Sequence, residues 1–254
     1  MILEFCYQLL TVVRPWQSGV VLGLITVVFA GAASPSFATQ RPVLMVLGDS
    51  LVAGHGLPQG EAFPEILGQM LQNDGVDVNI INAGVSGDTT AGGLARLDWS
   101  LADNPDAAII VLGGNDLLRG LDPSASFANL DKIITELKTR NIAVLLAGMQ
   151  APRNFGADYA DEFDSIYQRL VNRHNVLFYP FFLDGVALQP TMNLADGMHP
   201  NKAGISHIAI KILPQVKKLL LKTENGDSTI PTGDGSIFEK SLHKSARCHK
   251  KETC

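Results

Sequence analysis

Cysteine, basic charge and internal repeats are all scarce in this chain of 254 residues. The three cysteines are Cys6, Cys248 and Cys254, so no disulfide bond can form within residues 7–247. The formal net charge is −5 at pH 7 and most lysines lie near the C-terminus, so the chain lacks the basic surface that nucleic-acid binding needs. No repeat or long linker interrupts the chain before residue 220, and 46% of the residues are hydrophobic, which is ample for one large core.

Charged residues are missing from positions 15–40. The apolar part of this stretch is shorter than the roughly 20 residues that a helix needs to span a bilayer, and it fits the hydrophobic region of a secretory signal. Ser36 and Ala38 supply small residues at the two positions that a signal peptidase reads. We therefore predict a signal peptide over residues 1–38, cleaved before Thr39, and a periplasmic or secreted protein with no stable membrane span after cleavage. The alternative is an uncleaved segment that anchors the protein in a membrane.

After residue 42, short apolar runs rich in β-branched residues alternate with segments of helical periodicity, which is typical of β-α-β units around a buried parallel sheet. The predicted strands are 43–47, 76–81, 107–112, 142–147 and 175–178, and the predicted helices are 61–73, 89–102, 124–139, 158–172 and 201–220. We therefore predict one α/β domain over residues 39–220 with a central, mainly parallel, five-stranded sheet. Residues 221–254 are rich in small and polar side chains without periodicity, which predicts a flexible tail.

Polar or glycine-rich turns follow the first three predicted strands. They read Gly48-Asp49-Ser50, Asn82-Ala83-Gly84 and Gly113-Gly114-Asn115-Asp116. Because parallel strands end at one edge of a sheet, these turns should lie together, at the edge where open α/β folds bind their ligands. Asp196 and His199 stand three residues apart just before the last predicted helix, and we expect their loop to reach the same edge.

The residue types in these turns have complementary chemical roles. A serine hydroxyl becomes a strong nucleophile when a neutral imidazole accepts its proton, and we assign these roles to Ser50 and His199. A carboxylate holds such an imidazole in the correct tautomer, which suits Asp196. The oxyanion of a tetrahedral intermediate needs preorganised donors. We expect the backbone N–H groups of Ser50 and Gly84 and the side-chain amide of Asn115 to supply them.

These motifs, in this order, resemble the GDSL, or SGNH, family of serine hydrolases from Val43 to about Leu220. The matching blocks contain Ser50 in GDSL, Gly84 in NAGVSGDTT, Asn115 in GGND, and Asp196 with His199 in DGMHPN. The stretches AGHGL, GDTTAGGLARL and GMQAPRNFGADY are similar to the bacterial periplasmic branch of thioesterases, lysophospholipases and arylesterases. The resemblance implies a three-layer α/β/α sandwich of flavodoxin-like topology. It also implies hydrolysis of an acyl ester or thioester through an acyl-enzyme on Ser50, with no metal or other cofactor.

Two other functions remain open at this point. A carbohydrate O-deacetylase of the same family would use the same groups on an acetylated glycan, in a shallow polar pocket rather than an apolar groove. A non-catalytic binding protein would keep the fold without turnover, although the complete set of chemical groups argues against it. The sequence around Ser50 is not G-x-S-x-G, which argues against the commoner α/β-hydrolase lipase fold. We expect a monomer whose partner is a small-molecule substrate.

The long segment after the fourth predicted strand is the candidate wall of the substrate site, and we expect Met149, Pro152 and Phe155 to contact substrate. His55 is close to Ser50 in sequence but has no evident carboxylate to orient it. We therefore expect His55 to line the pocket or the surface rather than to act as the base.

Other polar residues near the motifs are expected to have structural roles. Asp49, Asp88 and Asp116 should brace the glycine turns rather than transfer protons. His207 should pack against its neighbours, and His174 should be solvated near a helix end.

Overall fold

The structure is a computed structural model that describes residues 41–224, and at its centre lies a five-stranded sheet whose neighbouring strands are all parallel. The strands are β1 (Val43–Gly48), β2 (Asn79–Gly84), β3 (Ala107–Val111), β4 (Ala143–Ala147) and β5 (Leu177–Tyr179), in the spatial order β2-β1-β3-β4-β5. The predicted signal peptide and almost all of the predicted tail lie outside the described residues.

Helices cover both faces of the sheet. They are α1 (Ser50–Ala53), α2 (Phe63–Asn73), α3 (Thr90–Ala95), α4 (Leu97–Ser100), α5 (Gly114–Leu118), α6 (Pro123–Thr139), α7 (Ala157–His174) and α8 (Lys202–Glu224), with a 3₁₀ turn at Arg153–Phe155. Helices α2 and α8 pack together on one face, and α3, α6 and α7 form the other layer. The predicted three-layer α/β/α sandwich is therefore confirmed. Within residues 41–224, no helix combines the length and the apolar character needed to cross a bilayer.

The order of the strands reverses between β1 and β3, which brings three loops to one place. The first connection leads from β1 to β2 on one side, and the chain then returns past β1 to β3 on the other. Gly48 lies level with Gly84 on β2 and with Val111 on β3, so these strands end side by side. Such a switch point opens a crevice beyond the carboxyl ends of the strands, where α/β proteins bind ligands.

Several boundaries differ from the sequence-based predictions. Strand β2 begins at Asn79 rather than at residue 76 and continues to Gly84, because it pairs with β1 along that whole length. The helix predicted over 89–102 is divided into α3 and α4 at Arg96, whose backbone leaves the helical conformation. The short helices α1 and α5 were not predicted, because each has too few residues to show a hydrophobic period.

Candidate active site

Ser50 stands two residues after the end of β1, at the first position of α1. Asp49 caps this helix, since its side chain accepts a hydrogen bond from the Leu51 N–H at 3.0 Å. Glycine is required at position 48, just before Asp49, because a Cβ there would lie 2.3 Å from Val52 Cγ2. The result is a tight strand-to-helix turn that places Ser50 at the carboxyl edge of the sheet.

Ser50, His199 and Asp196 are joined by hydrogen bonds in the predicted order. His199 Nε2 lies 2.9 Å from Ser50 Oγ, and His199 Nδ1 lies 2.7 Å from Asp196 Oδ2. When Nδ1 carries the proton, the ring donates to the carboxylate and accepts from the hydroxyl, which is the tautomer that a general base requires. This arrangement can take the proton of the Ser50 hydroxyl and return it to a leaving group.

The loop that carries Asp196 and His199 is closed at its ends by an antiparallel bridge between Asn193 and Pro200. Inside the loop, Asp196 Oδ1 accepts the backbone N–H groups of Met198 and His199 at 2.9 and 3.0 Å. These backbone bonds, followed by the bond from the His199 ring, hold the pKa of Asp196 well below its usual value. The carboxylate therefore stays ionised beside the imidazole.

Asn115 lies in the first turn of α5, and its side chain is oriented by Asp49. The Asn115 amide donates to Asp49 Oδ2 at 3.1 Å, while Asp49 Oδ1 holds the Leu51 N–H. Asp49 is buried, and this burial raises its pKa to about 6, against the opposing effect of its hydrogen bonds. A carboxamide nitrogen has two N–H groups, so one remains free for a substrate oxygen. Asp49 thus braces the site, as its sequence position predicts.

The structure does not support Gly84 as an oxyanion donor. Gly84 ends β2, and its N–H donates to Asn82 Oδ1 at 3.1 Å. A Cβ at Gly84 would lie 2.3 Å from the backbone nitrogen of Ala53, so glycine is required here for close packing of α1 against β2. Within the described residues, the backbone N–H groups of Ser50 and Gly87 have no protein acceptor. Gly87 lies in the turn after β2 and belongs to the same motif as Gly84, NAGVSGDTT. The signal for Gly87 is its place beyond the last residue of β2, which the sequence alone does not mark.

The loop that contains Gly87 is fastened by two acidic side chains, as predicted. Asp116 in α5 is buried and accepts the Thr90 N–H at 2.8 Å. Asp88 pairs with Arg96 at 2.5 Å, and the same guanidinium donates to the Gly48 carbonyl oxygen at 2.9 Å. The turn after β2 is therefore tied both to α5 and to the residue that precedes Asp49.

The three residues predicted to contact substrate lie in different environments. Met149 is 3% exposed and packs in the hydrophobic core, so it does not line an open surface. Pro152 is exposed, and Phe155 is half-exposed and stacks on Tyr159 with a centroid separation of 6.0 Å. Pro152 and Phe155 are therefore the two members of this set that a substrate can reach.

The histidines outside the triad have distinct surroundings. His55 is exposed, and its ring centroid lies 4.5 Å from that of His199, so it lines the site as expected. His174 is not a solvated residue, because its side chain is 12% exposed and its Nε2 lies 2.7 Å from Asp131. His207 packs with its Nε2 buried, as expected.

Comparison with known proteins gives matches across this fold and site. The model of the GDSL-like lipase/acylhydrolase family matches residues 46–205. An arylesterase from Vibrio mimicus is 38% identical over 198 residues, which cover 78% of this chain and 98% of that protein. Thioesterase 1/protease 1/lysophospholipase L1 from Escherichia coli K12 is 35% identical over 184 residues, which cover 72% of this chain and 87% of that protein. The crystal structure of AlinE4, an SGNH-hydrolase family esterase, has a TM-score of 0.60 at 45% identity and covers 71% of this chain and 97% of that one.

A parallel sheet with a hydrogen-bonded serine, histidine and aspartate at its carboxyl edge defines a serine hydrolase of the α/β class. The chain belongs to the GDSL-like lipase/acylhydrolase family. It is a serine esterase or thioesterase, which confirms the function predicted from the sequence. The names of the relatives do not favour the O-deacetylase alternative.

Proposed function

We propose that Ser50 attacks the carbonyl carbon of an acyl ester or thioester while His199 accepts the serine proton. The imidazolium, held by Asp196, then protonates the leaving alcohol or thiol, which leaves the acyl group on Ser50. Water activated by the same imidazole hydrolyses the acyl-enzyme and restores the serine. The observation that carries this proposal is the pair of hydrogen bonds of 2.9 and 2.7 Å that join the three side chains.

The oxyanion would be met by three donors: the Ser50 N–H, the Gly87 N–H and the free N–H of the Asn115 amide. Gly87 takes the place of Gly84, whose N–H is already bonded within β2. The Gly87 carbonyl accepts a 2.7 Å hydrogen bond from Arg119, at the end of the helix that begins beside Asn115. This bond supports a fixed distance between the second and third donors.

We propose aryl and fatty-acyl esters and thioesters, including lysophospholipids, as the substrate class. Large apolar side chains stand exposed in segments that follow the carboxyl ends of the strands, namely Val85, Leu118, Leu121, Phe155, Leu188 and Met198. Exposed apolar side chains in these segments favour an acyl chain over an acetylated glycan. The named activities of the relatives point in the same direction.

A series of p-nitrophenyl esters from acetate to palmitate, with an acyl-CoA thioester and acetylated xylan beside them, tests this function. We expect turnover of the esters and the thioester, and almost none of the xylan. Ser50→Ala and His199→Ala should each lower kcat by at least ~10⁴-fold in a folded protein, because these two groups act as one unit. Ser50→Ala should also lose labelling by a fluorophosphonate probe. Near-normal hydrolysis by a folded Ser50→Ala protein would exclude Ser50 as the nucleophile.

We propose further that the protein is exported and acts as a monomer. The uncharged stretch 15–40 supports export, and β1 begins only a few residues after the proposed cleavage before Thr39. All groups of the proposed site come from one chain, which supports a monomer. Expression of the full chain in a Gram-negative host should give periplasmic protein whose N-terminus is near Thr39 and which elutes as a monomer. Soluble cytoplasmic protein that keeps Met1 would contradict export.

A further inference from the structure

His55 is held close to the proposed catalytic residues but has no part in their chemistry. Helix α1 ends in a left-handed turn at Gly54, and Gly56 also has a positive φ, so the backbone around His55 doubles back. The backbone N–H groups of Gly54 and His55 both donate to the Ser50 carbonyl at 3.2 Å. His55 is therefore fixed about one helical turn beyond the nucleophile, with its ring exposed.

The turn that contains His55 packs against the loop of His199. A Cβ at Gly56 would lie 2.6 Å from Leu194 Cδ1, so the two segments are in close contact. Leu194 is tied to the same loop, because its N–H donates to the His199 carbonyl at 2.8 Å. As a result the two imidazole rings lie close together in a tilted arrangement, with centroids 4.5 Å apart and planes inclined by 44°.

Three ligand atoms converge where these segments meet. One nitrogen of His55, one of His199 and one carboxylate oxygen of Asp196 all lie within 4.8 Å of one another. Two imidazoles and a carboxylate form a donor set that suits Zn²⁺, Cu²⁺ or Ni²⁺, whereas Mg²⁺ and Ca²⁺ prefer oxygen ligands. Zn²⁺ with three protein ligands takes water at its fourth position and needs bonds of about 2.0–2.1 Å, so the ligand atoms must move together by ~1 Å. The His55 side chain is exposed, so it can make this movement by rotation about its χ angles while its backbone stays in place.

We propose that His55, Asp196 and His199 bind Zn²⁺ or a similar transition-metal ion, and that this binding inhibits the enzyme. Both ring nitrogens of His199 are already engaged, Nδ1 with Asp196 and Nε2 with Ser50. A metal on either nitrogen displaces one of these hydrogen bonds, and on Nδ1 it also releases a proton to solvent. In both cases the imidazole no longer serves as an oriented base. The inference rests on the role proposed above for His199.

Inhibition of p-nitrophenyl ester hydrolysis in a ZnCl₂ titration provides the first test. Zn²⁺ should inhibit the full-length protein reversibly, EDTA should restore the rate, and Mg²⁺ at the same concentration should have no effect. His55→Phe keeps an aromatic ring beside His199, and its inhibition is measured relative to its own metal-free rate. It should raise the Zn²⁺ concentration for half-inhibition by at least ~tenfold, because one of three ligands is lost. Equal sensitivity of His55→Phe and wild type would overturn the proposal.

Two further variants separate this site from other sources of zinc binding and from the proposed function. Cys248→Ser combined with Cys254→Ser removes the thiols of the C-terminal segment and should retain full zinc sensitivity; loss of sensitivity would overturn the proposal. Ser50→Ala keeps all three ligands, so Co²⁺ should give it the visible absorption of a tetrahedral site, and the added His55→Phe should abolish that absorption. Lack of the absorption in Ser50→Ala would refute the metal site, whereas a wild-type protein without esterase activity in EDTA would refute the proposed function instead.

Discussion

Asp49 connects the nucleophile turn with the proposed oxyanion donor through its two carboxylate oxygens. One oxygen accepts the Leu51 N–H at 3.0 Å, and the other accepts the Asn115 amide at 3.1 Å. The carboxylate can only accept hydrogen bonds while it is ionised, so it forces the Asn115 nitrogen, and not its oxygen, toward Asp49. The second N–H of that amide is thereby directed away from Asp49. Asp49 is thus a positioning residue that acts through Asn115.

Replacing Asp49 by the isosteric asparagine should lower activity, and it should also remove the unfavourable free energy of burying a carboxylate. The new carboxamide can still accept the Leu51 N–H, but its nitrogen then faces the Asn115 nitrogen, so two donors meet. We expect kcat to fall by at least ~tenfold with KM little changed, because the oxyanion donor turns away. Steady-state kinetics of Asp49→Asn measure this split. In an Asn115→Ala background, Asp49→Asn should lower kcat no further, and a fully additive loss would exclude action through Asn115.

The stability of Asp49→Asn should differ from wild type in a pH-dependent way. An aspartate in an unfolded chain has a pKa of 3.8, and burial raises the pKa of Asp49 to about 6 in the folded protein. Between pH 4 and pH 6, Asp49 keeps its proton in the folded protein but has lost it in the unfolded chain. The free energy of unfolding of the wild type therefore falls as pH rises from about 4 to about 6, and the loss of stability stays constant above pH 6. Two pKa units correspond to about 3 kcal/mol. Urea unfolding at pH 4, 6 and 8 should therefore show Asp49→Asn gaining stability relative to wild type as pH rises, and parallel pH curves would argue against the raised pKa.

At the scale of the elements, the residue at the break between α3 and α4 connects the turn after β1 with the turn after β2. Arg96 forms this break, and its side chain is 16% exposed. Its guanidinium reaches Asp88 at 2.5 Å, the Gly48 carbonyl at 2.9 Å and Ser100 Oγ at 3.0 Å. Asp88 directly follows Gly87, and Gly48 lies two residues before Ser50, so one planar cation joins the two turns that carry the proposed backbone donors.

Arg96→Lys should therefore affect catalysis more than substrate binding. A lysine keeps the charge beside Asp88, but a single ammonium cannot reproduce the three directed contacts of the guanidinium. We expect kcat to fall by ~10- to 100-fold with little change in KM, since a displaced donor weakens transition-state stabilisation. Arg140→Lys is the matched control, because Arg140 pairs with Asp98 and Glu136 on the surface and should tolerate the change. A drop in melting temperature with unchanged kcat would show that Arg96 has a purely structural role.

The same elements show what the sequence can and cannot predict. Strand β3 is buried throughout and reads as an unbroken apolar run, so its position follows from hydrophobicity. Strand β2 lies at the sheet edge and exposes Asn79 and Asn82, so no apolar run marks its end. Because the sequence does not mark the end of β2, it points to Gly84, the last residue of the strand, instead of Gly87 in the turn beyond it. Helices α1 and α5 depend on the Asp49 cap and on a left-handed Gly113, which are local features without a periodic pattern.

The residues of the triad could be predicted more fully than the surfaces around them. Ser50, His199 and Asp196 have side chains whose chemistry is specific, and their order along the chain leaves few alternatives. The burial of Met149 and the pairing of His174 with Asp131 depend on how distant segments pack. Their residue types alone do not determine that packing.

At the scale of the whole molecule, the last helix completes the core after the last residue of the site. Helix α8 begins just after His199 and packs against α2, β3, β4 and β5. Its final turns bury three large apolar side chains, Val216, Leu219 and Leu220. The fold therefore depends on a segment that supplies no group to the proposed chemistry.

Two C-terminal truncations should separate the role of α8 from that of the segment after it. A chain that ends at Glu224 keeps every described core contact and should retain wild-type kcat and denaturation midpoint. A chain that ends at Pro214 loses three buried side chains, each worth about 1.5–3 kcal/mol, which together approach the ~5–15 kcal/mol that stabilises a typical domain. We expect it to be unfolded by circular dichroism and inactive. A loss of activity on ending the chain at Glu224 would instead show that residues 225–254 contribute to the enzyme, and a folded, active chain ending at Pro214 would show that the core does not depend on the final turns of α8.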